Sequence, residues 1–119
     1  MRKISFVNVT LDVATEIILE DSLLHEEDAL DWLMGLPEKG YKVSMSYNEE
    51  RNSFIASMTG GPGTKNDGLC TTQWGKSVAS CARKLHLVHE VICRGDNWGV
   101  ADGLIADILR DALKGFKAN

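Results

Sequence analysis

The stretch from Tyr41 to Thr59 runs YKVSMSYNEERNSFIASMT and contains two segments of alternating side chains. In the first, apolar and polar positions alternate as Tyr41, Lys42, Val43, Ser44, Met45, Ser46 and Tyr47. In the second, which follows the polar turn 48–52, Phe54, Ala56 and Met58 alternate with Ser53, Ile55, Ser57 and Thr59. Alternation on both sides of a short polar loop predicts a β-hairpin with one buried face.

Helical patterns flank this hairpin. Before it, the acidic residues 26–28 occupy a first turn, where the helix dipole favours them, and Gly35 and Pro37 end the pattern. After the hairpin, Leu69 to Trp74 predicts a third strand, and a helix is predicted from about Lys76 to Cys93. Its core-facing stripe has alternating three- and four-residue spacing and consists of Val78, Cys81, Leu85, Val88 and Ile92.

The two ends of the chain complete the predicted architecture. Residues 3–13 alternate like a strand, residues 14–19 fit either a longer strand or the start of a helix, and residues 100–116 have the spacing of a last helix. With no repeat or linker, residues 1–119 are expected to form a single α+β domain. It has a three- or four-stranded antiparallel sheet with helices packed mainly on one face, that is, an αβββα core plus a C-terminal helix.

Composition narrows the class of protein. The chain of 119 residues is 44% hydrophobic and 25% charged, with a net charge of −4, and these values are ordinary for one globular domain. No apolar run reaches the ~20 residues that cross a bilayer, the N-terminus lacks a secretory pattern, and three cysteines suggest no disulfide framework. We therefore expect a cytoplasmic protein without a membrane partner, and the acidic charge lowers the odds of nonspecific nucleic-acid binding.

Several segments carry a family resemblance. They are Ala29-Leu30-Asp31-Trp32-Leu33, Lys39-Gly40-Tyr41-Lys42-Val43, Phe54-Ile55-Ala56 and Val78-Ala79-Ser80-Cys81-Ala82-Arg83-Lys84-Leu85. Together they resemble the phage ABA sandwich domains, a family of small bacteriophage proteins, over roughly residues 26–93. The resemblance implies a phage or prophage origin, hence the cytoplasm of a bacterial host, and a layered helix–sheet fold. It implies no particular activity.

Two other classes share this order of elements. Double-stranded-RNA-binding domains place several lysines at the start of the final helix, whereas here Lys76 stands there, with Arg83 and Lys84 further along. Antitoxin domains that resemble part of ribonuclease H have a similar strand-to-helix turn, but no toxin-binding signature is present. Shared topology alone does not establish either function.

A candidate binding site combines the glycine-rich loop 60–68 with the strand and helix that follow it. A phosphate-binding P-loop is excluded because Cys70 stands where its first glycine is required. Gly75 to Ser77 still begin a helix, so they fit either an anion site or an ordinary N-cap, and Trp74 fits either a binding surface or a core edge. The candidate site residues are Gly61, Gly63, Thr64, Lys65, Asn66, Thr72, Trp74, Lys76 and Ser77.

No catalytic or metal constellation stands out. His86, His89 and Cys93 have a helical spacing that zinc could use, but no further ligand follows at a familiar spacing. Cys70 could in principle pair with His86 or His89 as nucleophile and base, but no pattern suggests an activated thiolate. We therefore expect that the chain is not an enzyme and that it binds no cofactor and no metal.

The leading functional hypothesis is a phage accessory protein that neutralises a component of the host, namely of a defence system. The target would be a host protein complex, met by acidic residues including Glu49 and Glu50, or a signalling nucleotide held by the glycine loop with Trp74 and Lys76. The alternative is a single-stranded nucleic-acid-binding protein for phage replication. It would stack bases on Tyr41, Tyr47, Phe54 or Trp74 and hold phosphates with Lys42, Lys65, Lys76 and Arg83. A homodimer through the C-terminal helix is expected.

Overall fold

The computed structural model describes residues 4–7, 10–11, 20 and 23–90. Its elements are β1 (Ser5–Val7), α1 (Glu26–Gly35), a 3-10 helix (Pro37–Lys39), β2 (Tyr41–Asn48), β3 (Ser53–Gly60), β4 (Leu69–Gly75) and α2 (Val78–Val88). The αβββα order predicted from the sequence is confirmed. Of the strand predicted over 3–13, the structure shows Ser5–Val7 as strand and residues 10 and 11 outside it, while 3, 8, 9, 12 and 13 are not described. The segment 14–19, the end of the second helix past 90 and the C-terminal helix 100–116 also lie outside the described residues.

The four strands form one sheet in the order β1-β4-β3-β2. β2 and β3 pair as the predicted hairpin, from Tyr41 opposite Gly60 to Asn48 opposite Ser53, and β4 continues the sheet antiparallel to β3. The fourth strand departs from the prediction: β1 runs parallel to β4. The sheet is therefore mixed. After β1 the chain passes through α1 to β2 at the opposite edge, and β3 and β4 then lead back across the sheet until β4 lies beside β1.

Both helices pack on one face of the sheet, which makes the fold a two-layer α+β structure. The core between the layers contains Ala29, Leu33 and Leu36 beside α1, Ala56 and Met58 from β3, and Cys81, Ala82 and Leu85 from α2. Each large apolar side chain buried in this way contributes about 1.5–3 kcal/mol. Within the described residues, no helix is long and apolar enough to cross a membrane.

Local sequence explains where the helices begin and end. The Ser77 hydroxyl accepts a hydrogen bond from the Ser80 N–H at 3.1 Å, so Ser77 is the N-cap of α2, one of the two alternatives for this segment. α1 carries its acidic residues in the first turn, and Gly40, with a φ of 95°, ends the 3-10 helix that leads into β2. A residue with a side chain would be strained in this left-handed conformation.

Two basic side chains of α2 bind the N-terminal part of the chain. Lys84 is 1% exposed, and its Nζ donates to the Leu11 carbonyl at 3.1 Å and to the Trp74 carbonyl. The Arg83 Nε donates to the Leu24 carbonyl at 2.7 Å, and its Nη2 pairs with Glu20 at 2.9 Å. Arg83 and Lys84 are therefore internal clamps, and the prediction that Arg83 contacts phosphate does not fit its burial.

Candidate binding surface

The face of the sheet opposite the helices is a candidate binding surface. Because strand side chains alternate between faces and Ala56 and Met58 point into the core, the neighbouring positions point away from it. We call this surface the open face, because no described residue packs a second layer over it. Its residues are Phe6, Lys42, Ser44, Ser46, Ile55, Ser57, Thr59, Cys70, Thr72 and Trp74. The serines and threonines expected on the polar face lie here.

A hydroxyl pair joins the two central strands of the open face. The Ser57 and Thr72 hydroxyls lie 2.8 Å apart in a hydrogen bond across paired positions of β3 and β4. The hydroxyl that donates keeps two acceptor positions, and the one that accepts keeps its donor and one acceptor position. Thr72, one of the predicted site residues, thus lies at the middle of the surface with hydrogen-bonding capacity left over.

An aromatic and cationic corner lies at one end of the open face. The Arg51 guanidinium carbon lies 4.4 Å from the centre of the Trp74 ring, which is within the range of a cation–π interaction. Lys76 Nζ donates to the Asn52 carbonyl at 3.2 Å, so it holds the hairpin turn against the start of α2. We call Arg51, Trp74 and Lys76 the Trp74 corner. It brings together two of the predicted site residues with one that sequence reasoning missed.

The glycine loop lies at the other end of the sheet. Gly61 N–H donates to the Gly40 carbonyl at 3.1 Å, the Thr64 hydroxyl to the Gly61 carbonyl at 2.7 Å, and the Asn66 amide to the Tyr41 hydroxyl at 3.0 Å. Pro62, Gly63 and Lys65 are exposed as a surface loop predicts. Asn66, however, is only 4% exposed, so its amide serves the loop's own structure.

These placements divide the predicted site into two groups. β4 connects them, and its 7 residues span about 20 Å at roughly 3.3 Å per residue. The loop residues Gly61, Gly63, Thr64, Lys65 and Asn66 therefore do not meet Trp74, Lys76 and Ser77 around a single small ligand. Ser77 is also occupied as a helix cap. Thr72 lies between the two groups.

The remaining aromatic and basic candidates are also divided between the faces. Tyr41 and Phe54 pack against the core on the helix side, and Tyr47 lies beside Phe54 with ring centres 5.0 Å apart. Trp74 alone of the four predicted stacking residues lies on the open face. Phe6, which is 68% exposed, joins it from β1. The sequence offers one signal for Phe6, its place in an alternating segment, but the parallel pairing that brings it to this face has no local signature.

The histidines belong to the helical layer. Trp32 packs edge-on against His86, with ring centres 5.0 Å apart, and lies 5.6 Å from His89. Burial lowers the pKa of His86 below its ordinary value, and the Glu90 carboxylate, 3.7 Å away, opposes that shift. Cys70 points to the open face, on the other side of the sheet, so it does not pair with either histidine. No three potential metal ligands converge among the described residues, and Cys93 lies outside them.

A wide, open depression of about 620 Å³ runs along β2 and includes Lys42, Ser44 and Thr59. Hollows of smaller volume lie at the two ends of the open face. The one at the Trp74 corner measures about 210 Å³ and includes Arg51, Ser53 and Trp74. One near the glycine loop measures about 250 Å³ and includes Ile4, Thr59 and Pro62. Both are smaller than the roughly 300–1,000 Å³ of typical small-molecule sites.

No protein-family model, curated protein or solved structure matches this chain.

Proposed function

We propose that this chain is a binding protein, not an enzyme, and that it neutralises a macromolecule of a bacterial host through the open face. The observation that carries the proposal is the open face itself. It is a sheet surface without a second layer in the described part of the chain, with a tryptophan–arginine pair at one end and a hydroxyl pair at its centre. The phage setting, and a defence complex as the target, rest on the resemblance to phage ABA sandwich domains.

A macromolecular target fits this surface better than an enclosed nucleotide. Small ligands are mostly buried in concave sites, whereas the depression of about 620 Å³ along β2 is open to solvent and the hollows at the two ends of the open face hold only about 210 and 250 Å³. The loop and the Trp74 corner lie about 20 Å apart along β4, which is a span suited to a protein surface. Of the two targets that the sequence suggested, a protein complex therefore has the better support.

The charges around the Trp74 corner suggest how such a partner would be recognised. Arg51 lies over Trp74, and the exposed Glu49 and Glu50 precede it in the hairpin turn. Interfaces commonly have an aromatic or arginine anchor surrounded by charged residues that set orientation and association rate. We propose Trp74 and Arg51 as the anchor, with Glu49 and Glu50 facing a basic part of the host protein.

Phage growth on defended bacteria tests this function. The chain is expressed in hosts that each carry one defined defence system, and the plating efficiency of a sensitive phage is measured. We expect restored plating on at least one defended host and no change on the matching undefended host. Trp74→Ala should abolish the restoration, while Met34→Ala, on the exposed part of α1, should keep it. Failure to restore plating on every host, or full activity of Trp74→Ala at equal protein level, would contradict the proposal.

A second candidate, single-stranded nucleic-acid binding, is favoured by one specific observation. Two aromatic residues, Phe6 and Trp74, lie on the open face with Lys42, Arg51 and Lys76 on or beside it. Stacking on aromatic rings and phosphate contacts from lysines are the usual means of binding single strands. Fluorescent oligonucleotides distinguish the candidates: nucleic-acid binding should weaken steeply with salt and be reduced in Phe6→Ala and Trp74→Ala. If the chain binds no oligonucleotide at low salt, nucleic-acid binding is ruled out and the protein target is the remaining candidate.

A further inference from the structure

The outer edge of β2 has unpaired backbone groups at its centre. β2 is the last strand of the sheet among the described residues and pairs only with β3. The Gly61 N–H bonds to the Gly40 carbonyl, one position beyond the pair Tyr41–Gly60. In an antiparallel ladder this makes the even-numbered residues of β2 the ones bonded to β3. The N–H and C=O groups of Tyr41, Val43, Met45 and Tyr47 consequently point outward.

One of these outward groups confirms the geometry and marks where the free edge begins. The Tyr41 N–H donates to the Leu36 carbonyl at 3.1 Å, so the turn after α1 covers the edge at its first residue. Val43, Met45 and Tyr47 follow, with no backbone partner on that side in the described part of the chain. Exposed edges of this kind are templates for pairing with another strand.

The features that usually protect an edge are absent from this segment of β2. The register with β3 is continuous through all eight residues, without a bulge, and the segment contains no proline. Lysine, a common protective residue, occurs only at position 42. Met45 and Tyr47 are 46% and 48% exposed. Apolar side chains thus accompany the free backbone groups at this edge.

The charges along the strand select the partner. Lys42 is the second residue of β2, and Glu49 and Glu50 directly follow the end of the strand. An antiparallel second copy would place Lys42 of each strand near Glu49 of the other, and would do so twice. A parallel copy would align like charges, which is unfavourable. These charges therefore favour the antiparallel direction.

We propose that two copies of this chain pair through β2, antiparallel and centred on Met45. In this register Met45 lies opposite the partner copy's equivalent residue, and Val43 lies opposite the position of Tyr47, so all the free backbone groups of 43, 45 and 47 become bonded. On the open face Lys42 meets the position of Asn48, and Ser44 that of Ser46, without a clash of like charges. The two four-stranded sheets join into one, and the dimer presents two open faces side by side. The dimer does not depend on the proposed function.

Sedimentation equilibrium of the full chain tests the pairing with two matched variants. We expect the wild-type chain to reach twice its 13.1 kDa mass within a protein concentration range that extends to about 100 µM. Met45→Lys, which places two lysines opposite each other at the twofold axis, should be a monomer at every concentration. Phe6→Lys removes an apolar residue of greater exposure from the opposite edge strand and should dimerise like wild type. Thermal melts verify that each variant is folded.

Cysteine cross-linking tests the register independently of the lysine variant. Cys70 and Cys81 are buried, so they can remain in the chain. Cys93 is replaced by serine, and one new cysteine is introduced in each variant. Met45→Cys should form a disulfide-linked dimer on mild oxidation, because opposite residues of a bonded pair have Cα atoms about 5.5 Å apart. Val43→Cys should cross-link only when mixed with Tyr47→Cys. A monomeric wild type, a dimeric folded Met45→Lys, or no preference among these cysteines would overturn the proposal.

Discussion

The Nζ of Lys84 donates a hydrogen bond to the backbone carbonyl of Leu11, 3.1 Å away, although the two residues are 73 positions apart in the chain. The N–H of Leu11 in turn donates to Gln73 Oε1 at 2.8 Å. Leu11 is 3% exposed, and Lys84 and Gln73 are equally buried. The N–H and the carbonyl of the buried Leu11 are thus both hydrogen-bonded to side chains. Without these side chains they would need backbone partners, such as those of a neighbouring strand.

Lys84→Met should lower stability without changing the fold. Methionine fills the volume of the lysine stem but leaves the Leu11 and Trp74 carbonyls without their donor, and a buried polar group that loses its partner costs about 1–3 kcal/mol. Urea denaturation measures the free energy of unfolding. Lys39→Met is the control, because the side chain of Lys39 is exposed and surface substitutions usually stay within about 0.5 kcal/mol. Equal stabilities of the two variants would contradict a structural role for the hydrogen bonds of Lys84.

Arg83→Met should also affect stability, not ligand binding. The side chain of Arg83 is 7% exposed and donates to the Leu24 carbonyl, so its removal should cost about 1–3 kcal/mol in unfolding free energy. Glu20→Gln should have little effect, since Glu20 is exposed and the Leu24 bond persists. If Arg83→Met retains wild-type stability but loses affinity for oligonucleotides, the internal role is wrong and the phosphate contact predicted from the sequence is correct.

Gly60→Ala should disrupt the junction of β3 with the glycine loop. A Cβ at Gly60 would lie 1.9 Å from the Asn66 carbonyl oxygen and 2.4 Å from its carbon, both of them backbone atoms that cannot rotate away. We expect a large loss of thermal stability or of soluble expression. Gly35→Ala is the matched control, because a Cβ there has no neighbour within 4 Å. Similar melting temperatures for the two variants would show that the loop does not pack as described.

Stability should fall as the pH drops below the ordinary pKa of histidine. Burial against Trp32 lowers the pKa of His86 below 6.5 in the folded chain, more than Glu90 raises it. The unfolded chain therefore takes up a proton first, and stability present above about pH 6.5 is lost as the pH falls through the folded pKa. His86→Gln cannot titrate at this position. Its unfolding free energy should decline less than that of wild type between pH 7 and 5, and parallel pH profiles would refute the assignment.

The parts of the fold that follow from local pattern were predictable. Alternation over 41–47 and 53–59 identified the hairpin, and the spacing of Cys81, Leu85 and Val88 identified the buried side of α2. These patterns determine the elements because apolar side chains on one side of a strand or helix must be covered. The parallel pairing of β1 was missed, since three residues carry too little pattern to indicate a partner.

The candidate site was harder to predict because it depends on distances between elements. Thr72, Trp74 and Lys76, which the sequence suggested as site residues, lie on or beside the open face, but whether they meet the glycine loop depends on the length and direction of β4. Arg83 and Lys84 look like solvent-exposed residues in the sequence. Their burial follows from backbone carbonyls 59 and 73 positions away, and no local pattern encodes a contact at that separation.

The Lys84–Leu11 bond also has a consequence for synthesis on the ribosome. At roughly 5–20 residues per second, Lys84 is added on the order of 4–15 s after Leu11. During that interval the N-terminal segment lacks the side chain that binds its backbone, and the first strand lacks β4 beside it. The hairpin can therefore form before the amino-terminal segment docks, and that docking must await synthesis of nearly three quarters of the chain.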